Sequence, residues 1–457
     1  MGTLYEHKHL ETPAILQDLK ITYHESSLVF PSQETEKRSM FLSNIDKVLN
    51  FNVQTVHFFP HSSKFPPEVV TQKLKDAFSK VLVHYDFLAG RLKINPQSSR
   101  MEIDCNVAGA GFVVASTEFA LSEIGDLVNP NPVFQDFAVQ SMEGFKAEDQ
   151  PLCIVQVTSF KCGGFVLGFS TNHCLFDGLS FKHFLENLAS QSYDHDHKPL
   201  PIIPCNDRAL LAARSPPRVT FPHPELLKIE LSVGEDTCPP VFDCSPQNLD
   251  ARVFRLSSDE IAHLKIMAKM GPNNGTSKIT GFNVVTAHIW RCKALSCNET
   301  MENPSRMSTV LYAVDVRSRL KPPLPISYSG NAVLSAYAMA PCTDLETGPF
   351  SKIVERVTEG STRMTEEYAW SVIDWGETYR GFPNGEFLVS SWWRLGFQEV
   401  EYPWGKPKYS CPIVYHRKDI ILLFPDIDEG VNAVNVLVAL PADEMEKFEA
   451  LFYKFLK

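Results

Sequence analysis

No apolar run in this 457-residue chain reaches the ~18 residues a membrane-spanning helix requires. The opening MGTLYEHKHLETP has no apolar h-region, so no secretory signal is expected. Gly2 is present, but Glu6 breaks the myristoylation pattern. A basic excess is missing as well. Lys and Arg total 43 against 54 Asp and Glu, a net charge of −11, which argues against a nucleic-acid surface. An anionic ligand would need a local basic pocket. The 11 cysteines form no CxxC pair and no Cys/His cluster at zinc spacing, and no HExxH is present, so no metal is expected. Cysteines such as Cys153 and Cys292 sit in apolar runs and read as small core residues of a reducing compartment, which makes a cytoplasmic location the expectation. The glycosylation-type triplets at Asn274 and Asn298 are then chance matches. GxGxxG, GxxxxGK[ST] and GxSxG are all absent, so neither a phosphate cradle nor a serine-hydrolase elbow is visible.

What is present suits a large soluble protein: 44% hydrophobic and 21% charged residues, at a length that suggests two domains. The organising stretch is 151–190. Two apolar, β-branched-rich runs, 152–160 and 165–171, flank Lys161-Cys162-Gly163-Gly164 and read as a buried hairpin. Phe181, Phe184, Leu185 and Leu188 then recur at helical spacing. Earlier, 51–59 reads as a strand, Pro66-Pro67 open a helix with Val70, Leu74, Ala77, Phe78 and Val81 inward, and a strand region lies near 101–115.

Residues 198–226 are the most proline-dense part of the chain, and proline fixes φ and removes a donor. They read as a crossover between an N-terminal domain, 1–197, and a C-terminal domain, 227–457. Beyond it, 251–256 reads as a strand, and Ser257 caps a helix with an acidic first turn. Phe282–Leu295 is a second helix, and 307–316 and 332–339 are strands. A hairpin spans 420–440, and a closing helix carries Met445, Phe448, Phe452 and Phe455. Helices and strands mix without βαβ alternation, so the class is α/β in the mixed α+β sense.

Between the central hairpin and its helix lies His173-Cys174-Leu175-Phe176-Asp177-Gly178. Of the 14 histidines, His173 is the one with Asp four residues later. A neutral imidazole there suits proton abstraction from a hydroxyl or amine at neutral pH, and the bland reading is a satisfied, half-buried histidine. Asp177 stands where a helix N-cap is wanted, so capping or pairing with an arginine is its expected role. A base without a visible nucleophile or metal fits direct transfer from an activated donor such as a thioester.

This hexapeptide resembles the HxxxDG motif of the plant BAHD acyl-CoA-dependent acyltransferases. Their second signature, DFGWG with a following basic residue and Pro, is similar to Glu401-Tyr402-Pro403-Trp404-Gly405-Lys406-Pro407. Further matches are Phe87–Leu92, Ala287–Arg291 and Val314–Leu320 running on to Gly330-Asn331, so the similarity covers essentially the whole chain.

The resemblance implies two chloramphenicol-acetyltransferase-like domains, each a mixed sheet flanked by helices, with a channel between them. Acyl-CoA is implied as co-substrate, with a small-molecule acceptor, no separate cofactor, a monomeric state and His173 as general base of an O-acyltransferase. Asp177 would point away and hold the loop against Arg317. Ser390-Ser391-Trp392 resembles a run lining the family's active site, where a hydroxyl and an indole N–H would stabilise the oxyanion; a packed strand is the alternative. Lys278 is the candidate for the CoA phosphates. The second motif is implied to be structural, with Trp404 a core aromatic and Gly405 part of its turn. Glu401, Tyr402 and Pro403 depart from it, and Pro403 deletes an amide donor, which puts the loop geometry in question.

The stretches 215–225 and 180–190 look most like members using hydroxycinnamoyl-CoA in phenylpropanoid, plant specialised metabolism. Three alternatives stay open: intramolecular transfer in an ortho-hydroxylated hydroxycinnamoyl-CoA, closing a coumarin lactone; a non-catalytic partner of a fatty-acid elongation complex; and a simple thioesterase, which would release free acid without any acceptor.

Overall fold

The expected central hairpin forms, with Cys153–Phe160 and Phe165–Asn172 paired antiparallel. The computed structural model describes residues 19–128, 131–194, 199–229, 248–270, 279–413 and 417–457. Every residue of Phe165–Asn172 is buried, as a strand covered on both faces requires. Gly168 is essential to that cover. A Cβ there would sit 1.9 Å from the carbonyl oxygen of Phe137, so the short 3-10 segment Pro132–Phe137 can lie directly on the strand.

The hairpin occupies the middle of a six-stranded mixed sheet. Its order is Ile21–Val29, Ala110–Thr117, Cys153–Phe160, Phe165–Asn172, Asn52–Phe59 and Tyr409–Pro412, with the Ala110–Thr117 and Cys153–Phe160 pair parallel. Helices Pro67–Val81 and Gly178–Gln191 pack on it and on each other. All five apolar residues expected to face inward from Pro67–Val81 are buried.

The second half builds a mixed sheet of the same size. Its order is Asp250–Leu256, Gly430–Leu440, Ile420–Asp426, Phe387–Ser391, Met307–Asp315 and Val333–Pro341. Phe387–Ser391 runs parallel to both of its neighbours. Helix Gly281–Ser296 is enclosed by Ser258–Lys269, Phe350–Arg363 and Ala442–Lys454, which explains why it is apolar nearly all round. Ser257 and Glu260 form the expected capping box.

Two expectations are refined. The strand region near 101–115 is two strands, Met101–Cys105 and Ala110–Thr117, in different sheets. Val107 and Gly109 take positive φ between them, which no continuous strand permits. The proline-dense crossover contains one 3-10 turn, Arg208–Leu211, and ends in Leu226–Lys228, which pairs with Gly381–Pro383. A division at 198–226 does not account for Tyr409–Pro412, which leaves the second half and closes the edge of the first sheet at Tyr409↔Phe58. Among the described residues no helix is long and apolar enough to cross a membrane.

Candidate active site

The loop bearing His173 begins where a buried strand ends. Asn172 Oδ1 accepts the Cys174 N–H at 3.0 Å, and the Asn172 carbonyl accepts the Leu175 N–H at 3.0 Å, so the asparagine turns the chain. The His173 N–H donates to the Phe51 carbonyl at 2.8 Å, and the Phe51 ring meets the imidazole edge-on at 5.3 Å. Asp177 ends the loop as N-cap of Gly178–Gln191, accepting the Ser180 N–H at 3.0 Å. Within five residues the backbone passes from strand to helix, leaving the imidazole half-buried.

Asp177 and Arg317 form one of two buried ion pairs around this loop. Arg317 Nη2 donates to Asp177 Oδ1 at 3.0 Å, and Nη1 lies 2.8 Å from Oδ2. Ser180 Oγ donates to Oδ1 at 2.9 Å and the Ala332 N–H to Oδ2 at 3.0 Å. Asp46 and Arg208 form the other, with Arg208 Nη1 donating to Asp46 Oδ1 at 3.0 Å and both side chains fully buried. Arg208 also donates to the carbonyls of Cys174 at 3.2 Å and Leu175 at 2.7 Å. Asn331 Nδ2 donates to the His173 carbonyl at 2.8 Å and to Asp46 Oδ1 at 2.9 Å.

Burial lowers the His173 pKa from its ordinary value. The main-chain carbonyl of His173 itself, the Asp177 charge and Asn331 act in the opposite direction without cancelling it. The imidazole is therefore neutral at physiological pH. Desolvation pushes the Asp177 carboxyl up, but the charge and hydrogen bonds of Arg317, with the Ser180 and Ala332 N–H groups, outweigh it and hold Asp177 ionised. An ionised, fully committed Asp177 cannot relay a proton, so its geometry is that of a clamp.

A cavity of about 920 Å³ opens beside the loop, lined among others by Phe51, Asn172, Asn50, Gln140, Leu152 and Ile94. Phe51 both lines it and touches His173. Ser390 lies at the end of strand Phe387–Ser391, half-buried. The Trp392 main-chain N–H donates to the Leu423 carbonyl at 2.7 Å, and its ring meets Phe397 edge-on. Phe397 in turn meets Phe181, and Leu395 sits against Gly178, so this segment lies on the first turn of the motif helix. Lys278 lies outside the described residues.

The Glu401–Pro407 motif is elsewhere. The Tyr402 N–H donates to the Gly405 carbonyl at 3.2 Å and the Gly405 N–H to the Tyr402 carbonyl at 2.9 Å, a tight turn with Gly405 at φ +107°. Pro403 occupies the turn interior, and neither of the two closing bonds uses the amide it lacks. Trp404 stacks on Tyr402 at 5.1 Å and meets Phe59 and Phe165 edge-on. Phe165 starts the strand that His173 follows, which places Trp404 roughly 25 Å from the imidazole.

Sequence reasoning missed Asp46 and Arg208. Ser43-x-x-Asp46 reads as a capping box, and Asp46 Oδ2 does accept from Ser43, but Oδ1 faces Arg208 from 162 residues away. A Ser–His–carboxylate alignment also exists away from the motif: His223 Nε2 is 2.8 Å from Ser371 Oγ, and Nδ1 is 3.0 Å from Glu225. All three are buried, and Ser371 Oγ accepts the N–H groups of Thr220 and Phe221. Those contacts use the hydroxyl to staple the crossover to helix Glu366–Thr378 and leave no nucleophile.

Two mixed sheets with a histidine on a clamped loop are the frame of an acyl-CoA-dependent acyltransferase, the class to which the matching family model and relatives assign the chain. The chain belongs to the Transferase family, the BAHD acyltransferases, whose family model matches residues 19–455. It is 57% identical over 456 residues to "Acyltransferase GLAUCE" of Arabidopsis thaliana, covering 99% of each chain. It is 33% identical to the Omega-hydroxypalmitate O-feruloyl transferase of the same plant, over 95% of this chain and 93% of that one. Among solved structures, vinorine synthase superposes with a TM-score of 0.69 at 22% identity, over 94% of this chain and 96% of that one.

Proposed function

We propose that this acyltransferase moves a hydroxycinnamoyl group from its CoA thioester to a hydroxyl or amine, with His173 as general base and no covalent enzyme intermediate. The observation that carries this reading is a neutral, half-buried imidazole on an immobilised loop beside a cavity. His173 takes the proton as the acceptor attacks the thioester carbonyl. The tetrahedral intermediate then expels the CoA thiolate, and the imidazolium returns its proton to that sulfur. Ser390 and Trp392 are the residues proposed to face the developing oxyanion. Asp177 holds the loop.

The hydroxycinnamoyl donor is supported by relatives whose names specify such a transfer, the O-feruloyl transferase above and the "Fatty alcohol:caffeoyl-CoA acyltransferase" of Arabidopsis thaliana, 31% identical. By the same likeness, an aliphatic hydroxyl is the first acceptor to try.

The test is CoA release from feruloyl-CoA with and without primary fatty alcohols, phenols and amines, beside His173→Ala. Acceptor-dependent release that the substitution abolishes is the expected result. Acceptor-free lactone formation from an ortho-hydroxylated donor would make the transfer intramolecular. Silence of the wild type across the panel would refute the hydroxycinnamoyl reading and favour a binding partner over an enzyme.

A further inference from the structure

Asp46 and Asp177, distant in sequence, accept hydrogen bonds from consecutive main-chain amides. The Asn331 N–H donates to Asp46 Oδ1 at 3.1 Å, and the Ala332 N–H donates to Asp177 Oδ2 at 3.0 Å. The residue before them touches both arginines. The Gly330 carbonyl accepts from Arg317 Nη2 at 3.0 Å, and a Cβ on Gly330 would lie 2.7–2.8 Å from the Arg208 guanidinium. Residues 330–332 thus contact every member of both ion pairs.

The other side of this arrangement is the main chain of the motif loop. The carbonyls of His173, Cys174 and Leu175 accept, in that order, from Asn331 Nδ2, Arg208 Nη1 and Arg208 Nη2. Three consecutive carbonyls in a buried space need partners, and here all three come from residues tied to one carboxylate, Asp46. The first of them matters most, because it belongs to the residue whose side chain is the imidazole, and Asn331 fixes it at 2.8 Å. Arg208 comes from the crossover, so that segment is part of the site and more than a tether.

We propose that Asn331 and Arg208, oriented by Asp46, are positioning residues for the His173 imidazole, and that they act with Asp177–Arg317 as one unit. The proposal rests on the reading of His173 as the base. A peptide plane at residue 173 that loses Asn331 can rotate, and the ring follows it. A misplacement on the order of 1 Å at a reacting group costs up to about 100-fold in rate. Asn331 and Arg208 bond to the loop main chain and to Asp46, so the loss is expected on kcat.

The experiment compares Asn331→Ala, Gly330→Ala, Arg208→Lys and His173→Ala. Two readouts are used: feruloyl-CoA turnover with a primary fatty alcohol, and the histidine-ring NMR signal that His173→Ala removes. Asn331→Ala is expected to lower kcat by about 10- to 100-fold, keep the acyl-CoA KM within about twofold and move the His173 ring signal. Added to His173→Ala, it is expected to cause no further loss, because it acts only through that ring. Asn331→Ala and Gly330→Ala leave all four charges in place, so they carry the test if Arg208→Lys fails to fold. An unmoved ring signal in both, or wild-type kcat in both while His173→Ala is inactive, overturns the positioning role and leaves the base assignment standing. Full activity of His173→Ala overturns both. The ring signal needs no substrate, so it decides the matter even if the chosen acceptor is not turned over.

Discussion

Replacing Asp177 by Asn keeps its shape and removes its charge, and the surroundings make that change costly. Each carboxylate oxygen receives a donor: Ser180 N–H, Ser180 Oγ and Arg317 Nη2 on Oδ1 and Ala332 N–H on Oδ2, with Arg317 Nη1 2.8 Å from Oδ2 as the ion pair. Whichever way the amide turns, its NH2 group faces donors where an acceptor is required. Arg317 loses its buried counter-charge and keeps Asp315, 3.4 Å away and half-exposed. Removing one partner of a buried pair costs about 3–5 kcal/mol. In a cooperative unit of about 150–250 residues, that lowers Tm by roughly 6–20 °C. Thermal unfolding followed by circular dichroism gives the shift, and CoA release gives the activity of the folded fraction. The wild-type pair also has a pH signature. A carboxyl held below its unfolded value contributes stability that is complete above that value, about 3.9, and is lost as pH falls through the folded pKa. Asp177→Asn should flatten this acid limb. A Tm within about 2 °C of wild type with normal turnover would refute the clamp.

Two further outcomes follow from the same geometry. Because burial lowers the His173 pKa, the base form persists as pH falls, so the acid inflection of kcat/KM should lie below the ordinary histidine value of about 6.5; an inflection at or above pH 7 in the rate profile contradicts this. Trp404→Ala removes a nearly buried ring far from the chemistry, so Tm should fall by an amount reflecting about 3–5 kcal/mol while kcat of the soluble protein is retained; differential scanning calorimetry and steady-state kinetics separate the two effects.

The parts of the site legible in the sequence are those whose cause lies within a few residues. The strand Phe165–Asn172, the Asp177 cap and the helix behind it follow from periodicity and from capping chemistry. The partnership of Asp177 with Arg317 became visible through resemblance, since nothing local joins positions 140 residues apart. Asp46 shows the boundary most clearly. Its Oδ2 makes a local bond that a four-residue pattern announces, while its Oδ1 accepts from Arg208 and Asn331, the donors to the His173 loop, and no pattern announces that.

Pro403 and Arg208 resist a local reading for one shared reason. Composition shows which groups a segment has or lacks, but whether they are needed depends on what folds against them. The amide missing at Pro403 lies inside a turn closed by its neighbours, and neither closing bond needs it. The guanidinium of Arg208 lies in a proline-rich stretch that looks like a spacer, yet it faces three buried oxygens, those of Asp46, Cys174 and Leu175. Prolines that keep the crossover from forming long helix or strand leave the Arg208 guanidinium to bonds outside the segment. That leaves this segment free to serve a loop it meets only in the folded state. The same reasoning covers Tyr409–Pro412, whose partner strand lies about 350 residues earlier and whose pairing no local signal could disclose.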